Sequence, residues 1–399
     1  MEKPVAAVEF GSKKMKLVVG YELDGKVYVI YSLVRPYGSI IENGEIIDPT
    51  KIIQSMKEIR NFSDPSVQLK LNIGEVLLTL PPYGLKIFTC QQFTAVVGED
   101  TVITKTDIRN VHALIRNGQL PNGNALVDIV PVFYELTQGR RFINPPIGQV
   151  SPTVRVGAMV HTLPKKIPEA YDSVVTPAGI NVKRNIIAPF GAATLLGSYD
   201  DIPKNYILVD IGASMTTVSL IGEKRLYGST YFSWGGDSIT ERIIEKFNIN
   251  EADAEKYKIT YGLDYRVMNF KAPVCKSRDE EGNEIKHYTD ELNAIIKEEL
   301  NEFIKDLDAA TTELLKDYDQ VSKGLPMILI GGGAQLNGLK EYIEPKVPSE
   351  TVTVITPRNL GARDATFTNV LGLILANQQN PSVYDDSHPR VGQVTRDDK

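Results

Sequence analysis

The chain has 399 residues, 42% of them hydrophobic and 24% charged, with a formal net charge of -6. That length exceeds what one hydrophobic core holds, so at least two domains are expected, and the composition excludes wholesale disorder. The acidic balance offers no footprint for nucleic acid, and no apolar run reaches the roughly 20 residues that a spanning helix needs.

The opening Met1-Glu2-Lys3-Pro4 runs into a strand rather than an apolar leader, so the chain is expected in the cytoplasm unless something tethers it. There, Cys90 and Cys275 are expected as reduced, buried thiols. Val5–Phe10 reads as a buried strand, residues 11–14 as a turn, and Met15–Gly20 as a second strand. The Asp24-Gly25 hairpin signal leads to a third strand at Lys26–Tyr31. Helix-spaced Ile52, Ile53, Met56 and Ile59 precede a strand at Val76–Leu80, an α/β pattern.

From Gly84 to Leu163 the texture changes to an inserted α+β block. It holds strands at Lys86–Thr89, Asp128–Leu136 and Thr153–Thr162 and a helix near Thr106–Asn117. A second strand–turn–strand unit starts at Tyr206–Asp210. A mainly helical region follows, ending in an amphipathic helix with a core-facing stripe from Leu292 through Ile296, Leu300, Phe303 and Leu307 to Leu315. Met327–Ile330 is a buried strand that ends in a glycine triplet, and from Asn380 the tail is polar, Pro-interrupted and expected to be disordered.

Three segments share one design, an apolar strand followed by a turn of small residues. They are Glu9-Phe10-Gly11-Ser12-Lys13, Asp210-Ile211-Gly212-Ala213-Ser214 and Ile330-Gly331-Gly332-Gly333-Ala334. Glycine lets backbone N–H groups approach phosphate oxygens with no Cβ in the way. Any one such turn is ordinary; three, with Glu9 and Asp210 in matching places, point to a phosphate ligand whose Mg²⁺ the acids reach through water. The third loop leads toward a helix at Leu339–Tyr342, whose N-terminus favours an anion or a nucleotide. Walker, dinucleotide-binding and nucleophile-elbow spacings are absent, and His112, His161, His287 and His388 lack metal-ligand spacing.

With these loops in order, the chain resembles the actin, Hsp70 and sugar-kinase superfamily and, more closely, the bacterial cell-division family FtsA, over about residues 5 to 376. The resemblance is carried by Tyr134-Glu135-Leu136, by Ile143-Asn144-Pro145-Pro146-Ile147-Gly148 with Val160-His161, and by Gly235-Gly236-Asp237-Ser238-Ile239-Thr240. Ala254-Glu255-Lys256-Tyr257-Lys258 and the string Gly331–Leu339 complete it. It implies an actin-like two-domain α/β fold with ATP in the central cleft and an inserted α+β subdomain, 1C, in place of actin's 1B. The implied boundaries are 1-83 and 164-205 for subdomain 1A, 84-163 for 1C, 206-236 and 319-379 for 2A, 237-318 for 2B, and 380-399 for the tail.

The resemblance also implies residue roles. Gly11, Ser12, Lys13, Lys14, Gly212, Ala213 and Ser214 would hold the ATP phosphates, and Glu9 and Asp210 would lie near a phosphate-bound Mg²⁺. Gly236, Glu255, Lys258, Gly331, Gly332, Gly333 and Gln335 would surround the nucleoside. Ala188–Ala193 looks like the helix connecting the two large domains. Departures from the pattern follow: Glu9 for Asp, whose extra methylene shifts the carboxylate toward the metal or crowds it; Met215 and Thr217 for Thr and Asp, which remove polar groups near the γ-phosphate; and Ala188 for the Glu of Hsp70-type connecting segments. ATP binding with at most slow hydrolysis is expected.

Implied partners are the FtsZ C-terminal peptide, other divisome proteins and the chain itself, in protofilaments built through 1C and 2B. Implied location is the inner face of the cell membrane at the division site, peripherally, although residues 380-399 lack the amphipathic period of a membrane helix. Two alternatives stay open on the same fold: a PilM-like ATP-binding scaffold of a pilus or secretion assembly, and a sugar or acid kinase.

Overall fold

Val5–Phe10 is apolar at five of six positions, the signature of a strand covered on both faces, and it forms the centre of a five-stranded sheet in the computed structural model. The structure describes residues 3–64, 69–98, 100–263, 271–278, 281–316, 318 and 324–378; the tail expected from Asn380 lies outside them. Two units separate: Met1–Leu85 with Lys166–Ala376, and Lys86–Lys165 with Asn377–Lys399.

In the larger unit the first sheet runs Asn181–Ile187, Glu75–Leu80, Val5–Phe10, Lys14–Leu23, Lys26–Pro36. The first three strands are parallel, and the last two follow as antiparallel hairpins. The second sheet repeats the scheme: Val352–Val354, Met327–Ile330, Asn205–Ile211, Thr216–Gly222, Arg225–Phe232. Its first three strands are again parallel and its last two antiparallel. Glu9 and Asp210 therefore occupy equivalent places, one residue from the end of each central strand.

Two helices that are apolar all round lie between the sheets. Every residue of Ala188–Leu196 is buried, as are Thr368–Ala376 of the helix Thr368–Gln378. Such helices have no solvent face and belong in the interior. They cross backbone to backbone at Gly191 and Gly372; a Cβ on Gly372 would sit 1.9 Å from the Gly191 carbonyl oxygen. Arg184 secures the far end by donating from Nη1 to the Ala376 carbonyl at 2.7 Å.

The amphipathic stripe forms a helix of 27 residues, Thr289–Leu315. Its buried face meets the second sheet and the helix Gly236–Phe247, with Phe303 4.5 Å from the Trp234 ring. Truncating Phe303 to Ala would cost about 3–5 kcal/mol through lost transfer energy and the cavity left behind.

The smaller unit is an antiparallel sheet, Arg141–Phe142, Asn124–Leu136, Thr153–Pro164, Lys86–Ala95, with one helix, Lys105–Arg116, on it. Thr104 and Asp107 form a capping box at the helix start. Ile108, Val111 and Ile115 pack on Ile129, Tyr134 and Val156. His112 meets the Tyr134 hydroxyl at 3.0 Å, and burial, helped by Arg116, lowers its imidazolium to about 4. Cys90 and Cys275 are free thiols but half-buried rather than buried, because each sits in a strand with one exposed face.

Candidate nucleotide cleft

Gly11 N–H donates to the Lys14 carbonyl at 3.0 Å, and Gly212 N–H donates to the Met215 carbonyl at 2.9 Å. The same four-residue turn thus closes both central hairpins. A Cβ would lie 2.9 Å from the Met215 oxygen in the second, so that turn cannot take a side chain without moving, and 3.2 Å from the Lys14 oxygen in the first, a tight fit. The two loops meet at their tips, where Ser214 Oγ donates to Ser12 Oγ at 2.7 Å.

These loops line a cleft of about 620 Å³ within the larger unit. Gly11, Ser12, Lys13, Lys14, Gly212 and Ala213 contribute to its wall, as do Glu9, Asp210, Gly236, Glu255, Lys258, Gly331, Gly332, Gly333 and Gln335. Ser214 does not itself line the cleft but is bonded to Ser12, which does. The structure thus gathers the candidate residues in one place, from segments up to about 320 positions apart.

Glycine is obligatory at Gly331, whose φ is +86° and whose missing Cβ would fall 2.4 Å from Asp210 Oδ1. The triplet passes into a short 3-10 turn, Gly333–Gln335, before the five-residue helix Leu339–Ile343, so the helix does not begin at the loop itself. On the opposite wall the helix Gly236–Phe247 docks on the second loop, with Gly236 N–H to Gly212 O at 3.0 Å and Asp237 N–H to Ala213 O at 2.8 Å.

The polar centre of the cleft includes two residues the sequence reading missed, Lys16 and Asn369. Lys16 pairs in register with Glu9 across the first hairpin, and its Nζ lies 2.9 Å from Glu9 Oε1. Burial works against its ammonium, but Glu9, Asp210 and Asp364 outweigh it and raise the Lys16 pKa above 10.5. Asn369 Nδ2 donates to Asp210 Oδ2 at 2.7 Å and to Glu9 Oε1 at 3.3 Å, bridging the two sheets. Burial, then repulsion from Glu9, raises the Asp210 pKa against the opposing Asn369 bond and Lys16 charge. The signal for Lys16 was a lysine inside an otherwise apolar strand; for Asn369, an amide inside an apolar helix.

Lys13 spans the cleft, with Nζ 3.0 Å from Asp237 Oδ1 and 2.8 Å from Glu251 Oε1. Lys258 donates to the Gly236 carbonyl and to Thr240 Oγ1, each at 2.8 Å, and pairs with Glu255 at 2.6 Å. Burial opposes ionisation of Glu255, yet bonds from Lys258 and Thr240 prevail and lower its pKa.

An Mg²⁺–nucleotide fits this donor set. Glu9 Oε2 and Asn369 Oδ1 are buried with no hydrogen-bond partner, and such atoms are costly unless something satisfies them. Among the described residues no group of three or more His, Cys, Asp or Glu side chains could hold a metal directly. Also among them, no helix is long and apolar enough to cross a membrane.

A profile of the family described as cell division protein FtsA matches residues 207–372. Cell division protein FtsA of Enterococcus faecalis is 25% identical over 385 residues, covering 94% of this chain and 84% of that protein. FtsA of Bacillus subtilis is 22% identical over 380 residues, covering 92% and 82%. In fold the chain is similar to a chain of the PilM-PilN type IV pilus biogenesis complex, with a TM-score of 0.62 at 18% identity, covering 94% of this chain and 99% of that one. It is also similar to MreB 5 of Spiroplasma citri bound to AMPPNP, with a TM-score of 0.54 at 14% identity, covering 93% and 94%. Duplicated sheets, paired glycine turns and these likenesses converge: the chain has the actin-like fold and is similar to the cell-division proteins FtsA.

Proposed function

We propose that the chain is a cell-division protein that binds ATP with Mg²⁺ in the cleft and links FtsZ polymers to the membrane and divisome. The observation that carries ATP binding is the meeting of two equivalent glycine turns at Ser12 and Ser214, with the Gly331–Gly333 backbone on the same cleft. The N–H groups of residues 12–14 and 213–214 would hold the phosphates, with Gly11 and Gly212 shaping the turns, and Lys14 and Lys16 would supply positive charge. Glu255, Lys258 and Gln335 would surround the nucleoside, and Gly236 would let the helix start approach it. Glu9 and Asp210 would hold a phosphate-bound Mg²⁺ through water, and the metal would screen the charge of the phosphates.

Hydrolysis is slow in this reading. The Glu9 carboxylate is committed to Lys16 and Asn369, Thr217 stands in register opposite Asp210, and Ala188 brings no acid to the cleft. The nucleotide then acts by favouring one arrangement of the two halves over another, as an assembly switch. Residues 84-163 serve as subdomain 1C and, with 2B at 237-318, supply the contacts between protomers in a protofilament. The 2B region receives the FtsZ C-terminal peptide.

The test is sedimentation of purified chain with FtsZ or its C-terminal peptide, with and without ATP and Mg²⁺. Co-pelleting that depends on the peptide supports the reading; intact ATP binding with neither FtsZ binding nor filaments overturns it. The match to nearly the full length of a chain in the PilM-PilN complex favours one second reading, an ATP-binding scaffold of a pilus assembly. Capture of a short N-terminal peptide from an inner-membrane partner, with no FtsZ binding, would select it.

A further inference from the structure

Two acids line the cleft that the nucleotide reading leaves without a task. Asp237 is the second residue of the helix Gly236–Phe247, and Glu251 is the first of the helix Glu251–Tyr261. A carboxylate beside a phosphate site repels the ligand that the site admits. Here both acids are offset by Lys13, which stands on the first glycine turn and also lines the cleft.

The other two cleft ammonium groups with close carboxylates pair locally. Lys16 meets Glu9 across its own hairpin, and Lys258 meets Glu255 one turn away on the same helix. Lys13 instead reaches elements more than 200 positions later, with Nζ 3.0 Å from Asp237 Oδ1 and 2.8 Å from Glu251 Oε1. Its partners differ in firmness. Asp237 is placed by the backbone, since its N–H donates to the Ala213 carbonyl of the second turn at 2.8 Å, and its side chain is 16% exposed. Burial raises the Asp237 pKa against the bond and charge of Lys13, so this carboxylate relies on that ammonium. The Glu251 side chain is 66% exposed and gives the looser hold. One cation thus serves two anions, and the trio has no positive charge left for a phosphate while it stays together.

We propose that Asp237 and Glu251 form an autoinhibitory clamp on Lys13, and that a nucleotide binds by drawing the ammonium out of it. The clamp presupposes the nucleotide reading and sets the affinity of that cleft. In the ligand-free chain it neutralises a cation that the phosphates would use. In the bound chain Lys13 turns to the phosphates, and Asp237 stands beside the ligand without its counterion. Binding therefore works against the clamp, and loosening either arm raises affinity.

The test is titration of the full chain with a fluorescent ATP analogue and Mg²⁺ at about 0.15 M salt, where exposed charges more than about 8 Å apart are largely screened. Glu251→Gln should bind about threefold more tightly than wild type, and Asp237→Asn about tenfold, because its carboxylate is the more buried. Both substitutions keep the shape of the side chain, and thermal melts check the fold. The decisive readout is a double-mutant cycle. In a Lys13→Ala background Glu251→Gln should change affinity by less than about 1.5-fold, since an acid that acts through Lys13 has nothing left to hold. Equal gains in the two backgrounds overturn the clamp, because the acid then acts on the ligand directly. Unchanged or weaker binding by both acid variants overturns it too, and weaker binding marks the trio as a lid kept closed over the nucleotide. Binding by none of the proteins refutes the nucleotide reading, and the clamp falls with it. Binding by wild type together with either earlier adverse result refutes the clamp alone.

Discussion

Replacing Lys16 with Met keeps most of the buried stem and removes the ammonium that pairs with Glu9. Glu9 and Asp210 are then left facing each other with only Asn369 between them. Breaking a buried pair in this way costs about 3–5 kcal/mol, because the remaining charge stays desolvated. The loss depends on pH, and its direction follows from Asp210. The folded-state pKa of Asp210 already lies above its ordinary 3.8 through burial and repulsion from Glu9, and removing Lys16 raises it further. A carboxyl that holds its proton more tightly when folded destabilises the folded state at neutral pH and ceases to do so as pH falls through its folded pKa. Urea melts of wild type and Lys16→Met at pH 8 and pH 5 should show the larger deficit at the higher pH. In the wild type, Lys16's own contribution is fully present below 10.5 and fades only as pH rises through its elevated folded value. A deficit identical at both pH values, or below about 1 kcal/mol at pH 8, would refute the assignment of Lys16 as the counterion of two buried acids.

Gly331→Ala should lower stability by about 1–3 kcal/mol, since its Cβ would strike Asp210 at φ +86°, and should weaken binding of a fluorescent ATP analogue. Lys13→Ala should change stability by less than about 1 kcal/mol, because Glu251 is largely exposed, yet weaken ATP about tenfold if the ammonium turns to phosphate. Gly372→Ala should cost about 1–3 kcal/mol or more in a thermal melt, since the helices must separate to admit a methyl group. In the smaller unit the folded His112 pKa is lowered from 6.5 to about 4, so the unfolded state takes up the proton first as pH falls. Stability should drop by about 3 kcal/mol between those values, read as faster hydrogen exchange in Lys105–Arg116, and His112→Phe should flatten the dependence.

Much of the architecture was legible because local pattern and tertiary role agree. Val5–Phe10 and Met327–Ile330 are strands with the expected ends, and the helix expected near Thr106–Asn117 runs from Lys105 to Arg116. The recurrence of an acid, one residue and a glycine at the end of an apolar strand pointed to a phosphate ligand, and the family resemblance of these loops implied the actin-like fold that the structure has. The polar centre was less legible. Lys16 acts through a partner across a hairpin, and Asn369 through partners 360 and 159 residues away, so no local spacing reveals them. Helices such as Ala188–Leu196, apolar on every side, show no periodic face from which to read a neighbour. The commitment of Lys13 to Asp237 and Glu251 likewise depends on the docking of two helices more than 200 residues later.

The hydroxyl contact between Ser12 and Ser214 has a mechanical consequence. It joins the tips of two hairpins anchored in different sheets, so its length reports the angle between the halves. A ligand wedged between those tips must set that angle, and a torque on the halves must alter the ligand's affinity, with equal and opposite work on each side of the exchange. A protomer under tension would therefore hold its ligand differently from one at rest. Strain transmitted along an assembly would then be registered as occupancy, with no separate sensor.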